Sequence, residues 1–234
     1  RRVMDHTSGM KVYTELADFG RISSGKLPKD SLVAIFKNRP YEFAPGDALV
    51  YNNSAYFLLG LIIEKVSGMP YADFVKTRLF DRAGMKDAYY CREYAVVKRR
   101  PHGYELSPQG LVRAAFIDHT YPYAAGSLCA SAVDLVAWNQ ALHGGRILKP
   151  DSYQSLITPE KLNDGTPVRY AKGIVPGRMA GKRSLRHGGG IPGFLSDNVY
   201  FPHDRTSIVV LVNTAGPVSP DDITSRIATA CPPR

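Results

Sequence analysis

Cysteine is scarce and poorly arranged for chemistry. The three in 234 residues, Cys91, Cys129 and Cys231, are odd in number, far apart and without C-x-x-C spacing. Neither a disulfide framework nor a zinc site is indicated. Long apolar runs are missing as well: no stretch approaches about 18 consecutive apolar residues, which argues against a membrane-spanning helix. No G-x-S-x-G elbow, H-E-x-x-H pair or phosphate-binding loop occurs. His102, His119, His143 and His203 lack ligand spacing, so no metal or other cofactor is expected. Acidic residues are outnumbered, 21 against 30 Lys and Arg, for a net charge of +9. The basic residues are scattered, however. Lys98, Arg99 and Arg100 form the only tight run, and no aromatic-basic stripe surrounds it. That pattern fits a solvated basic surface better than a nucleic-acid interface, although a preference for anionic substrates or surfaces stays open.

What is present fits an ordinary globular chain, with 44% apolar and 22% charged residues and enough length for one large domain or two interleaved lobes. It begins Arg-Arg, not with Met, and no apolar signal segment follows. The expectation is that Arg1 is not the gene's own start, and the compartment cannot be read from this end. Helical patterns dominate the first two-thirds. Residues 31–36 form a short apolar turn. From Ser54, the residues Tyr56, Leu59, Ile63 and Val66 recur at helical spacing until Gly68. Pro70 opens a further helix carrying Tyr71, Phe74, Val75 and Leu79 on one face and ending near Gly84. Residues 86–125 read as irregular. Another helix spans 132–142, with Ser131 and Asp134 as a capping box and Gly144-Gly145 as its end. The last third reads as strands at 168–174, 184–187, 195–201 and 207–213, joined by short loops and hence antiparallel. The continuous β-branched run "SIVVLVN" predicts a strand buried on both sides. A final helix has Ser219 as cap, Pro220 at its first position and Asp222 completing a second box, and runs to about Ala230. The implied class is α+β, with residues 1–160 mainly helical and residues 161–234 holding antiparallel strands and the terminal helix.

Several motifs mislead. "HGGGIPG" (residues 187–193) contains G-x-G-x-x-G, but strand residues follow where a dinucleotide site needs a helix. Its glycines instead suit a strand approached closely by a ligand. The S-x-x-K matches at Ser8–Lys11 and Ser23–Lys26 each contain glycine and read as loops, not as a Ser-Lys pair at a helix start. Ser196-Asp197-Asn198 spells S-D-N but lies in a strand, after the glycine motif, where that triplet should precede it.

Five segments in order carry a resemblance: "HTSGM" (6–10); "FAPGDALVYNNSAYFLLGLIIEKVSGMPYADFV" (43–75), with F-x-P-G, then Y-x-N, then a helix; "AGM" (83–85); "AAGSLCASAVDLVAW" (124–138); and "RHGGGIPGF" (186–194). Together they resemble the serine β-lactamase-like superfamily of class C β-lactamases, DD-peptidases and related esterases. The resemblance implies a β-lactamase/transpeptidase-like fold and acyl-enzyme hydrolysis of an ester, a β-lactam or a D-amino-acid peptide. It also implies site residues. Tyr51 would pass protons, given a cation that favours its phenolate. Asn53 would orient a lysine or hold a substrate amide. His187 would bind substrate carboxylate or tune the tyrosine. Gly188 and Gly189 would let substrate lie against the strand, and the Gly190 N–H would serve as an oxyanion donor. The plain alternative makes Tyr51 a helix-entry aromatic, Asn53 an N-cap and His187 an edge-strand histidine. In the superfamily S-x-x-K precedes the His6 segment. Here only five residues do, so the expectation is an N-terminally incomplete chain, inactive alone, with an exposed sheet edge open to self-association. A non-catalytic penicillin-binding-like module is the alternative function, and a basic surface-binding protein a third.

Overall fold

A computed structural model describes residues 1–231. Its helices are α1 (Phe19–Ile22), α2 (Lys29–Phe36), α3 (Asn53–Ser67), α4 (Tyr71–Val75), α5 (Asp81–Ala83), α6 (Ala132–His143), α7 (Pro150–Ile157) and α8 (Pro220–Ala230). Its strands are β1 (Tyr89–Tyr90), β2 (Tyr104–Ser107), β3 (Gly110–Arg113), β4 (Leu128–Cys129), β5 (Val175–Met179), β6 (Lys182–Ile191), β7 (Phe194–Phe201), β8 (Thr206–Val212) and β9 (Thr214–Ala215). Among the described residues no helix is long and apolar enough to cross a membrane.

The main sheet has the order β5-β6-β7-β8, each pair antiparallel, as short connections demand. Strand alternation builds its layers. On β7, Val199 and Phe201 join Ile208 and the α8 residue Ala228 in one cluster. Tyr200, pointing the other way, joins Leu185, Leu142 of α6 and Ile157 of α7. The sheet is thus held between α8 and the α6–α7 pair, and each fully buried large side chain stabilises it by about 1.5–3 kcal/mol. A second core lies among the helices, around Tyr13, Leu32, Phe36, Phe57, Val75 and Phe80. Trp138 of α6 packs on both clusters and joins them.

Local signals account for the helix ends. Asn52 caps α3 by accepting the Ala55 N–H at 2.9 Å. Gly68 ends it at φ 69°, where only glycine is unstrained. Ser131 and Asp134 cap α6 reciprocally, as the spacing predicts. The helix after Pro70 is continuous to Ala83 through a π-helical turn at Lys76–Phe80.

Several expectations need correction. Residues 168–174 are not a strand. Val168, Tyr170, Ala171 and Ile174 are buried, a spacing that no single strand face gives, and Gly173 bends the chain at φ +87°; the strand starts at Val175. The β8 run has α6 and α8 against its two faces, as its continuous β-branched pattern predicts, but it is the terminal strand of the main sheet, with an outer edge paired with no described strand. The buried face of α3 is Ser54, Ala55, Phe57 and Gly60, whereas Val66 is 82% exposed. Small residues win there because a Cβ on Gly60 would collide with Ala124 and Tyr123. At α8, Ser219 accepts from the Asp221 N–H and no reciprocal box forms with Asp222. Residues 86–125 are not wholly irregular: they contain β1 and the β2–β3 hairpin, which pairs with β9.

The largest correction concerns cysteine. Cys91 and Cys129 form a disulfide across the β1–β4 pair, with Cα atoms 5.6 Å apart. Cys231 is free and exposed. The bond closes a separation of 38 residues, for which loop-closure entropy gives about 2–4 kcal/mol of stabilisation. The Cys91→Ala/Cys129→Ala protein is expected to lose that much unfolding free energy in urea. Denatured, unreduced wild type should take one alkyl group by mass, and three after reduction; three before reduction would show that the pair is not bonded.

Candidate active site

The site begins with a lattice of backbone bonds between the His6–Met10 turn and the chain entering α3. His6 sits in the left-handed region at φ 60°, uncommon for a residue with a Cβ. Its carbonyl accepts the Val50 N–H at 3.0 Å, the Thr7 carbonyl accepts Gly46 N–H at 2.8 Å, and the Gly9 carbonyl accepts Glu42 N–H at 2.8 Å. Gly9 must be glycine: a Cβ there would meet the Phe43 carbonyl oxygen, at φ +71°. The Asn52 amide donates to the Met10 carbonyl at 2.5 Å, and the Ser54 hydroxyl donates to the Lys11 carbonyl at 2.7 Å while accepting the Tyr13 N–H at 2.9 Å.

The His6 ring is the centre of this lattice. The Asn52 N–H donates to its Nδ1 at 3.0 Å, so the ring proton of the neutral imidazole is on Nε2. The ring is 1% exposed and packs against Tyr51, Tyr56 and Tyr170 at centroid distances of 4.2, 4.8 and 4.5 Å. Burial first, and the neighbouring His187 second, hold its pKa down at about 4.

Tyr51 stands at the mouth of α3, packed on His6 and 47% exposed. Its ring lies 6.2 Å from that of His187, so Tyr51 and the start of the glycine run are neighbours in space. Burial raises its pKa, which keeps the phenol protonated at neutral pH. Asn53 is the first residue of α3 and not its cap, which is Asn52. Its amide donates to Thr14 Oγ1 at 3.1 Å.

His187 to Ile191 is the second half of β6. The β5 register ends at Val175–Arg186, whereas the β7 register continues to Ile191–Phe194. Beyond Arg186 this half-strand is therefore paired on one side only. Gly188, Gly189 and Gly190 are exposed. A Cβ on Gly189 would stand 2.8 Å from Ser196 Oγ, and one on Gly190 3.1 Å from Leu195, so β7 itself favours glycine there. The His187 ring is not free to meet a ligand through either nitrogen: Nδ1 lies 2.5 Å from the Gly188 carbonyl and Nε2 3.0 Å from the Tyr170 hydroxyl. Tyr170 was missed by sequence reasoning, because it sits in the loop misread as a strand. Only its place in a tight Y-x-x-G turn could have marked it.

Other candidates separate from this site. Ser8 is buried and Lys11 pairs with Glu42 at 2.6 Å; Ser23 is buried while Lys26 is exposed. Asn198 of the S-D-N triplet is bonded to Asn139. Ser127, His119 and Glu93 form a triad-like line, with Ser127 Oγ 3.3 Å from His119 Nδ1 and Nε2 3.3 Å from Glu93. Ser127 is fully buried, however, and its hydroxyl donates to the His119 carbonyl at 2.7 Å, so the line is structural. His143 stacks on Tyr200 in the core, and His203 pairs with Asp204 at the surface. No group of three metal-ligating side chains is found among the described residues.

His6, His119 and His143 are each held near pKa 4, against about 6.5 in an unfolded chain. Between those values the unfolded state binds protons that the folded state does not, so stability rises with pH through the window and is lost on acidification. Urea unfolding at pH values from 7 to 4.5 is expected to show this loss. His6→Gln should reduce the slope by up to one proton, ~1.4 kcal/mol per pH unit; an unchanged slope would show that His6 titrates normally in the fold.

The chain is similar to several known proteins. It is 29% identical over 229 residues to Penicillin-binding protein 4* of Bacillus subtilis, covering 91% of this chain and 51% of that protein. It is 29% identical over 175 residues to the D-aminopeptidase of Gluconobacter oxydans, covering 75% of this chain and 33% of that one. It thus spans about half or less of these relatives' length. The fold matches a D-stereospecific amidohydrolase from Streptomyces sp. with a TM-score of 0.85 at 24% identity, over 99% of this chain and 72% of the other. The α+β, β-lactamase/transpeptidase-like architecture expected from the motif order therefore holds. A family model described as Beta-lactamase matches residues 1–230, and the chain belongs to that family.

Proposed function

We propose that this chain carries most of the cleft of a serine hydrolase working through an acyl-enzyme, with D-amino-acid amides or peptides as the favoured substrate class ahead of esters and β-lactams. The observation that carries the reading is the placement of Tyr51 beside the half-strand of β6 that lacks a β5 partner. An unpaired strand edge recognises an extended peptide backbone, and glycines let it approach closely. Two similar proteins, a D-aminopeptidase and a D-stereospecific amidohydrolase, support the substrate class.

In this reading residues 1–160 and 161–234 are two lobes meeting at the cleft. The substrate lies along Gly188 and Gly189, and the Gly190 N–H stabilises the oxyanion together with the N–H of the nucleophile. When a nearby ammonium lowers its pKa, Tyr51 acts as the phenolate: it takes the proton of the attacking hydroxyl and passes it to the leaving amine as the tetrahedral intermediate collapses. Asn53, fixed by Thr14, presents its amide oxygen to that ammonium or to the substrate. Neither S-x-x-K match brings serine and lysine together, so the nucleophile is not assigned to either. The same observation favours one second reading, a penicillin-binding-like module that holds ligand without turnover.

The full-length gene product would be assayed on D-alanine p-nitroanilide, p-nitrophenyl acetate and a chromogenic cephalosporin. Tyr51→Phe is expected to lower kcat/KM on the favoured substrate by about 10²–10⁴-fold with KM little changed. Unchanged turnover would remove Tyr51 from the chemistry. A stable covalent penicillin adduct by intact mass, without turnover of any substrate, would establish the binding-module reading instead.

A further inference from the structure

We propose that Tyr170 is a positioning residue that fixes the tautomer and the orientation of His187 at the entrance of the glycine half-strand. The inference uses the same cleft as the proposed function, but it stands on hydrogen-bond geometry and not on the reaction.

The geometry leaves few choices. A ring nitrogen facing a carbonyl is satisfied as a donor, and His187 Nδ1 lies 2.5 Å from the Gly188 carbonyl oxygen, so the Nδ1–H tautomer meets that contact and leaves Nε2 to its own partner. In the neutral ring Nε2 is then a lone pair, and only a donor can satisfy it. The Tyr170 hydroxyl, 3.0 Å away, is that donor. The two rings meet edge to face at 5.7 Å and 82°, so the phenol arrives in a fixed direction. Tyr170 is itself immobilised: it is 7% exposed and packs against His6 and Tyr51 at 4.5 and 6.3 Å. One side chain therefore touches His6, Tyr51 and His187 together.

The other polar neighbour of the Tyr170 hydroxyl is that of Tyr56. The Tyr56 proton is committed to the Met4 carbonyl at 2.7 Å, so Tyr56 can offer Tyr170 only an acceptor. The single Tyr170 proton then has two acceptors, the Tyr56 oxygen and His187 Nε2, and the imidazole nitrogen, much the stronger base, takes it while that ring is neutral. If His187 gains a proton, Nε2–H donates to the Tyr170 oxygen and the hydroxyl turns toward Tyr56. The titratable groups facing His187 in this arrangement are His6, Tyr51 and Tyr170, with Tyr56 behind. Neither state requires the ring to move. The consequence for binding is definite: while the pair is formed, neither imidazole nitrogen faces a ligand, and β6 meets substrate through the glycine backbone.

The test is ¹⁵N-edited NMR of the chain with labelled histidine at pH 8, with His187 assigned by loss of its signals in His187→Gln. Wild type is expected to show the Nδ1–H tautomer at His187. Tyr170→Phe keeps the ring contacts and removes only the hydroxyl, and it is expected to shift His187 toward the Nε2–H tautomer. A wild-type Nε2–H tautomer, or an unchanged tautomer in a folded Tyr170→Phe protein, would overturn the proposal. If that variant does not fold, the wild-type spectrum decides alone. No turnover is needed, so the outcome is separable from that of the hydrolase assay.

Discussion

The site depends on one hydrogen bond and the ring that accepts it. The Asn52 N–H donates to His6 Nδ1, which ties the residue after Tyr51 to the turn at the start of the chain. The same imidazole then serves as the surface on which Tyr51, Tyr56 and Tyr170 pack. A buried ring held neutral suits this use. A charged imidazolium would carry a second proton on Nδ1, against the Asn52 N–H that now donates to it. The aromatic cluster and the low pKa are thus two results of one burial, and the strained backbone at His6 is tolerated because bonds on both sides over-determine it.

From that seat the chemistry follows by position. Tyr51 projects from the entry to α3, whose cap is formed by Asn52 and whose first turn anchors Asn53. β6 enters from the other side, held by β5 until Arg186 and unsupported on that edge afterwards. The end of β5 pairing and the start of the glycine run coincide, so the edge of the strand opens at the point where its side chains vanish. Arg186, just before, is tied to Asp197 at 3.0 Å and to Asp221, which fixes the strand against β7 and α8 before it reaches the cleft.

The parts legible in the sequence were those governed by local rules. The Ser131–Asp134 box, the stop at Gly68 and the order of the strands in the main sheet depend on residues close in the chain. The paired appearance of Tyr51 and the glycine run was legible through motif order. What was not legible is non-local. The Cys91–Cys129 bond rests on a two-residue strand pairing with 38 residues between its ends, which no spacing rule anticipates. The buried stripe of α3 was misassigned because close helix packing selects Ala55 and Gly60 over the larger Leu59 and Val66. Tyr170 was hidden because a buried loop rich in β-branched and aromatic residues imitates a strand in sequence. His187 was legible as a residue of interest, but its two nitrogens are engaged by the Gly188 carbonyl and Tyr170, and neither partner could be inferred from the run of glycines.

The central claim is that the Tyr51 hydroxyl and the free edge of residues 188–190 act on one bound substrate. A crystal structure of the full-length gene product with a D-alanyl phosphonate would test it most directly. The account predicts a ligand backbone hydrogen-bonded along the open edge of β6, with a phosphonate oxygen within hydrogen-bond reach of both the Gly190 N–H and the Tyr51 hydroxyl. A ligand seated away from that edge, or with Tyr51 out of reach, would contradict it.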